Sequence, residues 1–159
     1  MSDPVLSRLN FDAWRQDDPV WRPVLRAHLL HLGPESRLNR FLVWSSDAAV
    51  MRYAAATRPA LILGARIDGR LCGLAELHIG EGGDPIAEIA LSVDEDTRRA
   101  GIGGALFDGV VGEARRRGLR DIWIHFLRTN TAIRRISDRA GFIRLPERDP
   151  AVVTAHIAA

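Results

Sequence analysis

Lysine is missing altogether from this chain of 159 residues, so that all 22 Lys+Arg positions are Arg. The positive charge can be neither titrated nor acetylated away. A single cysteine, Cys72, excludes an intramolecular disulfide, and His28, His31, His78, His125 and His156 follow no metal-ligand spacing. No metal site is expected. There is one tyrosine, Tyr53, and nothing arranges Trp14, Trp21, Trp44 and Trp123 as a base-stacking platform, which argues against a nucleic-acid partner. No apolar run approaches the roughly 18 residues of a membrane span, and the opening MSDPVLSRLN lacks the basic and apolar regions of a signal peptide. The expected compartment is the cytoplasm, with no membrane partner.

With 47% hydrophobic and 26% charged residues, the composition is that of one globular domain over 1–159, long enough to bury roughly 70% of its unfolded surface. The formal charge of +2 conceals a division. Residues 1–97 carry 10 Arg against 14 acids, and residues 98–159 carry 12 Arg against 6. An anionic ligand is expected to prefer the second part.

Periodicity orders the elements. Val5 to Trp14 reads as a first strand. Asp18 and Pro19 then open a helix through Trp21, Leu25 and Leu29 that ends at Gly33. Pro34 opens a second helix, and Asp47 is expected to cap a third. From Ala60 the pattern alternates as an antiparallel meander of three strands, ALILGARI, LCGLAELHI and IAEIALSV. A helix from Ile102 to about Gly118, a strand over 120–127, a helix begun by Asn130 or Thr131, and one closing strand after Gly141 complete the order.

The sharpest local pattern is Arg98-Arg99-Ala100-Gly101-Ile102-Gly103-Gly104, between the strand ending at Val93 and the helix that follows. Glycines let backbone amides approach a ligand, the helix start adds a positive dipole end, and two arginines supply forked donors. These are the parts of a pyrophosphate cradle. A Gly-rich turn with solvated arginines is the competing reading. A P-loop is excluded because no Gly-Lys-Ser/Thr follows, and a dinucleotide fingerprint fails at Leu106 and at the polar link from Val93 to Gly101.

At these residues the chain resembles the GNAT superfamily of N-acetyltransferases, whose acyl-CoA loop reads Gln/Arg-x-x-Gly-x-Gly/Ala. Here it is Arg98-x-x-Gly101-x-Gly103. The step from Val93 to Arg98, the later Asn130-x-Ala132-x(8)-Gly141-Phe142, and the element order match as well, so the resemblance spans essentially the whole chain. It implies an α/β acyltransferase fold, a mixed and mostly antiparallel sheet with flanking helices that splays after Val93. It also implies acetyl-CoA or another acyl-CoA, with pantetheine on Leu91 and Val93, pyrophosphate on residues 98–104, and Asn130 beside the pantetheine or phosphoadenosine.

An amine with a solution pKa of about 10.4 must lose a proton to attack a thioester. Glu88 is the expected base, because an acid in the middle of an apolar strand is costly to bury unless partnered or hydrated, and a surface-facing Glu on a half-exposed sheet is the competing reading. Glu76 and His78 are reserves. Where many superfamily members carry a Tyr acid, this chain has Ser137, and Tyr53 is expected to pack. The segment Leu32-Gly33-Pro34-Glu35-Ser36 to Arg40-Phe41-Leu42 is similar to a signature of bacterial protein-lysine acetyltransferases, with Gly33 in place of the usual Ser. Arg37 and Arg40 there either bind substrate or pair with acids. The expected activity is acyl transfer to a primary amine of a protein or small molecule, by a monomer or homodimer. A non-catalytic acyl-CoA-binding module is the alternative from another class.

Overall fold

The computed structural model describes residues 4–97 and 100–158. Its strands are β1 (Leu9–Arg15), β2 (Leu61–Ile67), β3 (Arg70–Ile79), β4 (Ile86–Val93), β5 (Asp121–Leu127), β6 (Ile143–Leu145) and β7 (Val152–Ala158). The helices are α1 (Trp21–His31), α2 (Pro34–Phe41), α3 (Asp47–Ala56), α4 (Ile102–Arg116) and α5 (Thr131–Arg139). All seven strands form one sheet in the order β1-β2-β3-β4-β5-β7-β6.

Every neighbouring pair is antiparallel except β4 and β5. That parallel pair is joined by α4, the crossover helix that a parallel connection requires. Ile102, Leu106, Phe107, Val110, Val111 and Ala114 of α4 are buried against Leu63, Cys72, Leu77, Ile89 and Ile124 on one face of the sheet. On the other face, Trp21, Leu25 and Leu29 recur at helical spacing in α1 and pack with Val50, Ile62 and Leu74. The helices α1 to α3 therefore cover one part of that face.

Several boundaries differ from the sequence reading. A short 3-10 turn occupies Leu6–Arg8, so β1 starts later than Val5. Helix α1 begins at Trp21, after Asp18 Oδ1 accepts a hydrogen bond from the Val20 amide at 2.9 Å. Ser46, rather than Asp47, caps α3, its Oγ accepting from the Ala49 amide at 3.1 Å. The closing strand is two strands, with β7 inserted between β5 and β6. The VVTAHIA segment is rich in β-branched residues but carries only a weak alternation, which concealed it.

The split in the sheet begins inside β4. Its pairing with β5 runs only from Ile86 opposite Asp121 to Ile89 opposite Ile124, although both strands continue. Residues 90–93 thus have β3 on one side and no strand partner on the other.

Candidate active site

The opening between β4 and β5 is a cleft lined by Arg40, Ala90, Leu91, His125, Asn130 and Ile133 among others. Leu91 lies on its wall, with Val93 two residues further along the same free edge. An edge of unpaired backbone amides and carbonyls is a template for an extended, amide-bearing chain. Asn130 has two duties. Its Oδ1 accepts from the Ile133 amide at 3.3 Å, capping α5, and the residue also lines the cleft.

Helix α4 starts at Gly101, whose φ of 80° is a left-handed conformation suited to glycine. No side chain caps this terminus, and the Ala105 amide is the one that bonds back to the Gly101 carbonyl, at 3.1 Å. The amides of Ile102, Gly103 and Gly104 precede that bond and remain donors toward an anion, which fits a pyrophosphate. Ala100 precedes Gly101 at the mouth of this turn. Arg98 and Arg99, expected to contribute here, lie outside the described residues.

Glu88 is exposed, which corrects the expectation that it is a buried acid. It shares a face with Ala90 and Ser92, and across the sheet it stands opposite His78 on β3 and Trp123 on β5. Trp123 is in turn opposite His156 of β7, the rings 4.6 Å apart, and His156 Nε2 lies 3.1 Å from Asp121 Oδ1. A row His78, Glu88, Trp123, His156 therefore crosses four strands. A carboxylate between an imidazole and an indole can hold an ammonium and accept its proton.

The acid that is buried is Glu76, only 2% exposed. Its Oε2 accepts from Arg40 Nη2, and its Oε1 accepts from the Tyr53 hydroxyl at 2.7 Å and lies 3.3 Å from His78 Nε2. Burial alone would raise its pKa, but the Arg40 charge, together with hydrogen bonds from His78 and Arg40, holds it down at about 2. Glu76 is thus a fixed anion, unsuited to collecting a proton at neutral pH. Tyr53, expected to pack, does pack edge-on against Phe41 at 5.3 Å and also completes this buried cluster.

Other residues singled out from the sequence have structural partners. Arg37 pairs with Asp47 at 2.6 Å and donates to the Leu30 carbonyl at 3.0 Å. Ser137 is fully buried and donates to the Arg134 carbonyl at 3.1 Å, so it faces neither solvent nor an incoming thiol. Glu95 sits against the start of α2, where Ser36 Oγ donates to its Oε1 at 3.1 Å. A Cβ at Gly33 would meet that carboxylate, the far end of a flexible side chain that can shift to make room. Sequence reasoning missed the pairing of Arg40 with Glu76, since the two lie 36 residues apart and the packing of α2 on the sheet brings them together.

This fold and cleft are those of a known class. The acetyltransferase (GNAT) family model matches residues 24–142, and the chain belongs to that family. It is an acyl-CoA-dependent N-acetyltransferase whose acyl donor is acetyl-CoA. Among solved structures it is similar to the GNAT domain of PAT from S. lividans, with 23% identity, a TM-score of 0.73, and coverage of 95% of this chain and 90% of that one. A ribosomal-protein-alanine N-acetyltransferase from Brucella melitensis gives 17% identity, a TM-score of 0.69, and coverage of 94% and 99%. A putative acetyltransferase from Salmonella typhimurium, solved with acetyl-CoA, gives 16%, 0.64, and 95% and 94%. No curated protein matches the sequence. Among the described residues no helix is long and apolar enough to cross a membrane.

Proposed function

We propose that the chain acetylates a lysine side chain on a protein surface, with Glu88 as the base. The observation that carries this reading is the open sheet face around Glu88. Its exposed carboxylate, with His78 and Trp123 opposite, suits an amine presented on a long side chain. Beside the cleft runs a groove of about 640 Å³, lined by Leu38, Leu42, Val43, Trp44, Leu127 and Pro150 among others. Trp44 is 72% exposed there. A wide apolar groove with an exposed indole favours a polypeptide over a small polar amine.

Acetyl-CoA supplies an acyl group activated as a thioester. The free edge of β4 at Leu91 and Val93 would align its pantetheine, Asn130 would flank it, and Arg98 to Gly104 would hold the pyrophosphate. Glu88 takes the amine proton, directly or through water, and passes it to solvent. The Val93 amide offers a donor to the negative charge that develops on the acyl oxygen. Alignment of amine and thioester in one cleft supplies much of the acceleration.

The test is release of CoA thiol with acetyl-CoA and a panel of acceptors, followed by mass mapping of the product. Lysine-containing peptides should react, and free amino acids and polyamines should not. Preference for a small amine would overturn the protein-lysine assignment, and CoA binding without turnover on any acceptor would make the chain a binding module.

A further inference from the structure

We propose that Arg40 stabilises the thiolate that departs when the acyl group is transferred, a role that rests on the acyl-CoA reading of the β4/β5 cleft. Neither hydroxyl singled out from the sequence, Ser137 or Tyr53, is free to act as an acid for the sulfur. Ser137 is buried and committed to the Arg134 carbonyl, while the only tyrosine spends its hydroxyl hydrogen on Glu76. Arg40, by contrast, lines the cleft together with Leu91, Asn130 and Ile133. Its side chain is 8% exposed, an unusual state for a guanidinium at a cleft wall.

The placement is rigid. Nη2 donates both to Glu76 Oε2 and to the Tyr53 oxygen, the latter at 2.8 Å, and the guanidinium lies over the rings of Phe41 and Tyr53 at 4.9 and 5.1 Å. Both bonds leave from one nitrogen, so the remaining donors are not used by Glu76 or Tyr53. Burial tends to discharge a cation, but Glu76 keeps Arg40 protonated. The pair therefore presents an oriented dipole at the cleft wall, where a fixed donor needs no reorganisation as charge appears.

The step balances without a proton from Arg40. The neutral amine nitrogen bonds to the acyl carbon and gives one proton to Glu88 and then solvent. The carbon–sulfur bond breaks with its electron pair on sulfur. An amide and a thiolate result, and Arg40 stays charged throughout. On the other cleft wall, His125 has Nδ1 2.8 Å from Thr154 Oγ1, and it is the rival that a test must separate.

The experiment titrates the thiol of CoA bound to the whole chain, read by ultraviolet thiolate absorbance, with affinity measured by calorimetry. In the wild type, the bound thiol should titrate at least about one pH unit below free CoA, a tenfold gain in the thiolate ratio. The double variant Arg40→Gln with Glu76→Gln removes both charges together, leaving neither ion buried without its partner, and should restore the ordinary value of the bound thiol. Failure of the wild type to bind CoA overturns the acyl-donor reading and this role with it. Tight binding with an unshifted thiol overturns the role of Arg40 alone, without recourse to any variant. A shift that survives in the double variant and disappears in His125→Gln assigns the stabilisation to His125 instead.

Discussion

Ser92 Oγ lies 2.9 Å from His28 Nε2, tying the free end of β4 to α1. The opposite ring nitrogen is 3.6 Å from Asp94 Oδ1, a buried oxygen without a hydrogen-bond partner among the described residues. Burial, helped by the charge of His31, lowers the His28 pKa to about 4. The folded state thus prefers neutral imidazole, whereas an unfolded chain binds a proton near pH 6.5. The stabilisation is fully present above pH 6.5 and is lost as pH falls toward 4, by up to about 3 kcal/mol. Asp94, whose pKa burial raises, works in the opposite direction at the acid end. Urea unfolding between pH 8 and 4.5 should show the decline, and His28→Gln, though less stable overall, should flatten it. An equal slope in the variant would remove His28 as the cause.

Glu88→Gln keeps the size of the side chain and removes its capacity to accept a proton. We expect kcat/KM to fall about 10²- to 10⁴-fold with CoA affinity unchanged, and its pH dependence to change shape. His78, across the β3/β4 ladder, touches the buried Glu76 as well, so His78→Ala should cost less in rate than Glu88→Gln. Full activity of Glu88→Gln with an unaltered pH profile would exclude it as the base.

The meander from Ala60 to Val93 was legible from its apolar runs and the polar turns between them, although β2 and most of β3 are buried on both faces and only β4 begins by alternating. What could not be read was which of two strand carboxylates is buried. Glu76 and Glu88 have equally apolar sequence neighbours, yet α2 delivers Arg40 onto Glu76 and leaves the face at Glu88 open. That outcome depends on helix placement, a tertiary fact. The split of the sheet was legible only as a family expectation, since nothing local in IAEIALSV announces that pairing with β5 ends at Ile89.

Tyr53→Phe removes a single oxygen from the cluster around Glu76, which keeps the pairing of Arg40 with Glu76 but loses the 2.7 Å hydrogen bond to Glu76 and the 2.8 Å bond accepted from Arg40. A bond to a buried carboxylate contributes about 1.5–3 kcal/mol, so the midpoint of denaturant unfolding should move down accordingly with an unchanged slope. A change well under 0.5 kcal/mol would mean that the hydroxyl is replaced by water at no cost.

The arginines of the second part should divide by position. Arg116 and Arg117 both donate to Glu113, at 2.7 and 3.1 Å, on the exposed end of α4. Their replacement by Ala should change CoA affinity less than about twofold. Arg98→Ala or Arg99→Ala should weaken it at least about tenfold and reduce its salt dependence, because these charges adjoin the expected pyrophosphate. Calorimetry at two salt concentrations separates the outcomes, and equal losses from both groups would place the phosphates elsewhere.

Two glycines at the start of α4, the cap Gly101 and Gly103 of the first turn, should respond in opposite senses. Gly101 holds φ at 80°, so Gly101→Ala strains the backbone by about 1–2 kcal/mol and should lower Tm. Gly103 has ordinary helical geometry, and a Cβ there would meet Ile136 and Val93 at 3.7 and 3.8 Å, normal contact distances. Gly103→Ala should therefore raise Tm, by the roughly 1 kcal/mol that alanine gains over glycine in a helix. The same methyl group would sit between α5 and the free end of β4, beside the amides proposed to hold the pyrophosphate. CoA affinity should consequently fall at least about tenfold in a protein that is more stable. Thermal unfolding and calorimetry on one preparation decide the matter: a stabilised variant with unchanged CoA affinity would show that the donor does not pass beside Gly103.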